Sequence, residues 1–276
     1  MKTGASTGKY SDVPIRIKSW VYIIAVFAVM LLHPLSMSVI VTLLSLYALK
    51  EYFTMNPVQS SVMSFLVYIV AVPVFLSLYT NNYCLFVLSV IAHILLLLLV
   101  NSFFIREKHL NMKLVTGIIF CVFSIGHLSF IRNLDDPQHQ IDGIRVIFFL
   151  VLLTELNDIF QYLTGKTLGR RKITPRISPN KTVEGFLGGI VLTTLMANAT
   201  GLFLLPLKSF MVYTIIGIVI AVLGFCGDVA MSLIKRKAGV KDTGNLIPGH
   251  GGLLDRLDSL LFVLPISYWA CLIFFG

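Results

Sequence analysis

Charge is scarce in this chain. Asp, Glu, Lys and Arg make up 13% of its 276 residues, about half of what a soluble domain carries. Hydrophobic residues take 57%, and no stretch is long and polar enough to form a separate soluble domain. The four cysteines (Cys84, Cys121, Cys226, Cys271) are scattered in or beside apolar runs. There is no CxxC spacing and no Cys/His cluster, which excludes a disulfide framework and structural zinc. Internal or inverted repeats are also missing, which argues against a transporter built from matched halves. The basic N-terminus runs into an apolar stretch with no small-residue cleavage site before His33-Pro34, so it reads as a retained first helix.

What is present is a series of apolar runs. They lie near 19–33, 37–53, 62–79, 83–104, 114–131, 144–163, 185–206, 209–227 and 254–275, each close to the 20 or so residues that cross a bilayer as a helix. The expected fold is therefore all-α, a polytopic membrane bundle of about nine transmembrane helices. Placing the N-terminus in the cytoplasm and alternating sides puts every Lys and Arg inside except Arg132, Arg145 and Lys208. That bias predicts an N-in/C-out topology. The net charge of +9 then follows from topology and from anionic lipid or nucleotide ligands, with no nucleic acid implied. Residues 1–140 read as a scaffold of transmembrane helices, with possible dimer contacts. Residues 141–276 read as the catalytic region, with cytoplasmic loops at 164–184 and 228–258. The outer segment with Asp135 and Asp136 reads as a solvated turn. His33, His93, His109, His127 and His139 form no pattern; His93 and His127 lie in apolar runs, where a hydrogen bond to a neighbouring helix is expected.

Three polar groups fall on the cytoplasmic side. Glu155, Asn157 and Asp158 lie in the last turns of the sixth run. A carboxylate in a membrane helix costs roughly 2.5–3.5 kcal/mol at the centre on insertion scales and less near an end. Asp158 is thus either a functional group or an interfacial residue paired with Arg170 or Arg171. Gln161 and Tyr162 extend its helical face. The second group, six basic residues from Lys166 to Lys181, leads into Ser178-Pro179-Asn180-Lys181-Thr182 and then Glu184-Gly185. Hydroxyls, backbone N–H groups and a Lys at a helix N-terminus suit an anion, and an ordinary N-cap with Glu184 in the first turn is compatible with the same residues. Gly185, Gly188 and Gly189 predict close helix packing.

The third group opens at Gly227-Asp228 and continues from Ser232 to Asp258, SLIKRKAGVKDTGNLIPGHGGLLDRLD. Basic side chains with a glycine turn suit phosphates, and carboxylates among them suit a divalent metal bridging those phosphates. Asp255 and Asp258, three residues apart, are expected on one face of the first turns of the ninth helix. Gly251 and Gly252 precede that helix and are expected to leave its N-terminal amides open. Asp228 and Asp255, with phosphate oxygens and water, would form an octahedral Mg²⁺ site. Read singly, Asp255, Arg256 and Asp258 are an ion-pair cluster at a helix start and His250 is a weak signal; within one interval they read as a site.

At these residues the chain resembles the phosphatidate cytidylyltransferases, the CDP-diacylglycerol synthases. Their signature runs Ser, two residues, Lys-Arg, four residues, Lys-Asp, then His-Gly-Gly, two residues, Asp-Arg, one residue, Asp. It is matched by Ser232, Lys235, Arg236, Lys241, Asp242, His250, Gly251, Gly252, Asp255, Arg256 and Asp258. The upstream Ser-Pro-x-Lys-Thr-x-Glu-Gly is matched by Ser178, Pro179, Lys181, Thr182, Glu184 and Gly185, and Gly-Asp by Gly227 and Asp228. The first half agrees only in being a stack of membrane helices. Many members carry Asp-x-x-Ala-Tyr after the sixth span, where this chain keeps Asp158 but changes its neighbours.

The resemblance implies that CTP and phosphatidate yield CDP-diacylglycerol and pyrophosphate for phospholipid synthesis, with Mg²⁺ and room for a second cation. It implies a homodimer in the bacterial cytoplasmic (inner) membrane with the site facing the cytoplasm. Lys235, Arg236, Lys241 and Arg256 would neutralise the two anionic substrates, and Ser178, Asn180 and Lys181 would hold one phosphate. Asp242 and Asp258 would orient these bases or a metal-bound water, while Asp158, Thr182, Glu184, Ser232, Gly251 and Gly252 would line the substrates. Two other functions fit parts of the pattern: a CTP-dependent kinase of a lipid alcohol such as a polyprenol, and a transporter of anions or phospholipids.

Overall fold

The computed structural model describes residues 13–136, 141–205, 209–248 and 251–275. The sequence expectations placed on His250, His139, Lys2, Lys9, Lys208 and the side chains of Arg16, Asp135 and Asp136 lie outside the described residues.

The apolar runs become helices, including the two that carry an internal proline, Pro73 and Pro265. They are α1 (Val13–Leu32), α2 (Pro34–Met55), α3 (Ser61–Tyr79), α4 (Tyr83–Ile105), α5 (Leu110–Arg132), α6 (Gly143–Leu168), α7 (Val183–Leu204), α8 (Phe210–Lys237), a single turn α9 (Leu254–Leu257), and α10 (Leu260–Phe275). Six of them, α2 to α5 with α7 and α8, are long and apolar enough to cross a bilayer. Shorter apolar stretches lie in α1 and α10. Side chains such as Leu32, Phe65, Val72, Phe104 and Phe203 stand exposed on the bundle. Apolar surface of that extent suits lipid rather than water.

Local chemistry sets the ends. His33 caps α2, accepting from the Leu35 N–H at 3.1 Å, and Thr182 caps α7, accepting from Gly185 at 3.0 Å. Both leave fewer orphan amides at a helix start. At the far end of α8, Val240 N–H reaches Lys235 O at 3.0 Å and Gly239 N–H reaches Arg236 O at 3.1 Å. Gly239 has φ +75°, the left-handed residue that closes such a double-bonded terminus. Lys235, Arg236 and Lys237 in that last turn also suit the helix dipole.

These ends correct the sequence reading of the loops. Helix α6 continues to Leu168 and α8 to Lys237, so Asp158 lies well before its helix end, and Asp228, Ser232, Lys235 and Arg236 sit on helix rather than loop. At 28 residues, α8 is about 42 Å long, and its charged last turns reach past a hydrocarbon core of about 30 Å. The stretch after α6 is a hairpin, β3 (Lys172–Thr174) antiparallel to β4 (Ser178–Thr182). A second small pair, β1 (Asp135–Asp136) and β2 (Ile141–Asp142), lies at the opposite helix ends.

The first five helices share an apolar core that includes Met37, Val41, Phe86, Leu114 and Ile118. His127 packs among Tyr83, Phe123 and Tyr268 and bonds the Tyr83 hydroxyl at 3.1 Å and Phe123 O at 2.6 Å. His127 is thus held by a neighbouring helix, while the buried Nε2 of His93 has no hydrogen-bond partner among the described residues. Helices α6, α7 and α8 pack closely. A Cβ at Gly188 would lie 2.6 Å from Thr164 Cβ, and one at Gly189 would lie 2.4 Å from Gln161 Cγ, so these glycines let α6 and α7 touch, as the sequence predicts. Asn157 ties the trio together, accepting from Thr193 at 3.1 Å and donating to Ala221 O at 3.4 Å.

Candidate active site

The polar residues of the second half gather at one end of the bundle, where α6 and α8 finish and α7, α9 and α10 begin. Strand β4 brings in Lys181, whose ammonium pairs with Asp228 Oδ2 at 2.5 Å and lies 4.6 Å from the Phe225 ring centroid. One turn beyond Asp228 on α8, the Ser232 hydroxyl donates to Asp228 Oδ1 at 3.2 Å. The same helical face carries Lys235 at i+7. Its ammonium bonds Asp255 Oδ1 at 2.8 Å and lies 3.8 Å from Asp258 Oδ2. The side chains of Lys235, Asp255 and Asp258 are 11%, 8% and 14% exposed, so this contact is nearly dry.

Backbone approach makes the arrangement possible. A Cβ at Gly227 would stand 2.4 Å from Asp258 O, so only glycine there lets the chain between α9 and α10 cross α8 beside Asp228. Asp258 follows α9, its Oδ1 accepting from the Ser259 N–H at 3.0 Å. Burial first, then the Asp228 carboxylate, push the Asp258 carboxyl above its ordinary value, with Lys235 opposing. Ser259 donates to Asp158 Oδ2 at 2.8 Å, which brings Asp158 of α6 into the cluster.

Asp255 behaves differently. Its Oδ2 accepts from Thr243 N at 2.8 Å, Thr243 Oγ1 at 3.1 Å and Gly252 N at 3.0 Å. Burial works against its charge, but Lys235 and the Thr243 and Gly252 N–H groups outweigh it and hold the carboxyl below the usual range. The amides preceding the last helix are not open, as the glycines suggested. Gly252 N–H serves Asp255, and Leu253 and Leu254 N–H serve Glu51, each at 2.9 Å. Gly251, at φ +87°, and Gly252 are present because of backbone shape and space.

Other expected site residues stand further out. Glu184 lies in the first turn of α7, as expected, and accepts from Arg170 N at 2.8 Å and Arg171 N at 3.1 Å, closing the hairpin onto the end of α6. Thr182 is the buried cap. Ser178 pairs with Thr174 across the hairpin, and Asn180 is exposed. Arg236 donates from Nε to Ile177 O at 3.2 Å and from Nη1 to Val240 O at 3.1 Å, bracketing the hairpin to α8. Lys241, Asp242 and Arg256 are exposed, and Arg256 exerts an attraction on Glu155. Sequence reasoning missed Ser259, Thr243 and Glu51. The signal for Glu51 was there: it is the only carboxylate between Asp12 and Glu107, inside a run long enough to span a membrane.

Taken together, Lys181, Lys235 and the Asp158, Asp228, Asp255 and Asp258 carboxylates form a compact set of both signs, suited to phosphoryl groups and a hard cation. The chain is 37% identical over 267 residues to the uncharacterized protein YnbB of Escherichia coli K12, covering 95% of this chain and 88% of that one. It is 43% identical over 144 residues to the phosphatidate cytidylyltransferase of Bacillus subtilis, about half of each chain (52% and 52%). It is 30% identical over 244 residues to that of Staphylococcus aureus strain COL, covering 88% and 93%. The profile of the Cytidylyltransferase family matches residues 14–274, almost the whole chain, and the protein is a member of that family.

Proposed function

We propose that the protein transfers the cytidylyl group of CTP to phosphatidate, releasing pyrophosphate and leaving CDP-diacylglycerol. The observation that carries this reading is the meeting of β4, α8 and α9 through Lys181–Asp228 and Lys235–Asp255 at one end of an apolar bundle. A lipid phosphate anchored by its acyl chains and a nucleotide from water can both reach such a place.

In the reaction an oxygen of the lipid phosphate bonds to the α-phosphorus of CTP as the α–β anhydride bond breaks. The nucleophile is already anionic near neutral pH, so no side chain has to remove a proton. The work of the site is to bring two anions together and to stabilise the departing charge. Lys181 and Lys235 supply fixed positive charge, and Ser232 and Thr243 hold the carboxylates that orient it.

A Mg²⁺ ion fits this donor set. The Asp228 carboxylate adds to the cost of ionising Asp258, a repulsion that a cation relieves. Such an ion takes one or two protein carboxylates and fills its shell with phosphate oxygens and water. Asp228 and Asp255 would hold it, and when bound it would neutralise charge on the triphosphate oxygens.

The same reading places nine helices across a bacterial cytoplasmic membrane, N-terminus inside, with this end facing the cytoplasm and the protein as a homodimer. The test is purified protein in detergent with labelled CTP, Mg²⁺ and a panel of phosphorylated and hydroxyl lipids. Labelled CDP-lipid with pyrophosphate is expected from phosphatidate. Free CDP with a newly phosphorylated lipid would make it a kinase instead, and no reaction with any lipid would sink the reading.

A further inference from the structure

Glu51 lies in α2, about two hundred positions before the residues it touches, and is 4% exposed. Its Oε1 accepts from Leu253 N at 2.9 Å, and its Oε2 accepts from Leu254 N at 2.9 Å and Thr243 Oγ1 at 2.9 Å. The loop is shaped around this side chain: a Cβ at Gly244 would lie 2.7 Å from Oε1, and one at Gly252 would lie 2.7 Å from both oxygens. A buried carboxylate is costly unless its lone pairs are satisfied, and here hydroxyl and backbone N–H donors of one loop satisfy them. A second tether from the first half reaches the same loop, as the buried Ser19 hydroxyl donates to Pro248 O at 2.8 Å.

Thr243 is the link between this carboxylate and the chemistry. Its hydroxyl carries one proton yet stands 2.9 Å from Glu51 Oε2 and 3.1 Å from Asp255 Oδ2. Its N–H also donates to Asp255. Fixing Thr243 therefore fixes the oxygen of Asp255 opposite the one that meets Lys235.

We propose that Glu51 is a positioning residue. From the membrane scaffold it holds Thr243 and the Leu253–Leu254 backbone so that Asp255 faces Lys235 and the nucleotide. The inference rests on the CTP-dependent reading of the site. Glu51→Gln is the informative change, because each oxygen accepts a backbone N–H and an amide turned either way sets its NH₂ against one of them. Thr243→Val removes the hydroxyl link while leaving both backbone bonds to Glu51, and Thr243→Ser keeps it.

The experiment measures CTP binding by calorimetry with Mg²⁺ on the purified full chain, beside kcat and KM for both substrates. Glu51→Gln and Thr243→Val are expected to weaken CTP binding and raise KM for CTP at least fivefold. KM for the lipid should stay within twofold, and Thr243→Ser should restore CTP affinity. Lost activity with unchanged CTP affinity would mark a merely structural role and overturn the proposal. If Glu51→Gln does not fold, the Thr243 pair decides. Wild-type protein that binds CTP but forms no CDP-lipid would remove the transferase reading while leaving Glu51 to be judged by binding; wild type that binds no CTP overturns both.

Discussion

Replacing Asp255 by Asn changes one charge and almost no volume, at the best-connected carboxylate of the site. The carboxylate accepts from Lys235 on Oδ1 and from Thr243 N, Thr243 Oγ1 and Gly252 N on Oδ2. An Asn side chain can keep the three Oδ2 bonds only by turning its NH₂ toward Lys235. One charge-assisted bond is then lost, worth about 1.5–3 kcal/mol. Part of that is recovered because Asp258 still lies 3.8 Å from the Lys235 ammonium. The variant should therefore fold, with about 2 kcal/mol less stability by the same scale. Turnover should fall at least about a hundredfold, which is about 2.7 kcal/mol of transition-state stabilisation. The assay is CDP-lipid formation per folded molecule, with thermal unfolding in the same detergent. Folded protein keeping more than a third of wild-type turnover would refute the role given to Asp255.

Three further outcomes follow from the geometry. Gly252→Ala would set a methyl 2.1 Å from Thr243 Oγ1; it should disrupt the loop and remove activity, which the same turnover assay reads. Thr182→Ala deletes the cap of α7 and should lower stability by about 1 kcal/mol, with Thr182→Ser retaining it, as judged by thermal unfolding. Chelating divalent cations should abolish CDP-lipid formation and added Mg²⁺ should restore it; activity that persists in chelator would remove the metal from the scheme.

The helical bundle was legible because long apolar runs permit little else in a membrane. Much of the site was legible as well, since Lys181, Asp228, Lys235, Asp255 and Asp258 sit in dense polar intervals of an apolar chain. Helix ends were harder. The charged turns of α8 look like loop in a hydropathy trace, yet they continue the helix until Gly239 closes it. The amides near Gly252 looked open because their acceptor, Glu51, is two hundred residues away. Local spacing says nothing about which distant carboxylate will fill such a cradle; only the cost of Glu51 inside an apolar run hinted that it had a partner. Similarly, Glu184 reads as an ordinary acid in a first helical turn, and only the hairpin reveals that its oxygens turn back to Arg170 and Arg171.

The side chain of Asn157 has one more consequence. Greasy rods in lipid can slide along one another with little penalty, because tails and leucines are interchangeable. By gripping Thr193 on one neighbour and the Ala221 carbonyl on the other, Asn157 acts as a key in a slot and sets the height of α6. The next residue is Asp158, and slippage by a single turn, about 5.4 Å, would carry it out of reach of Ser259. A depth gauge is thus built one residue from the carboxylate whose level matters.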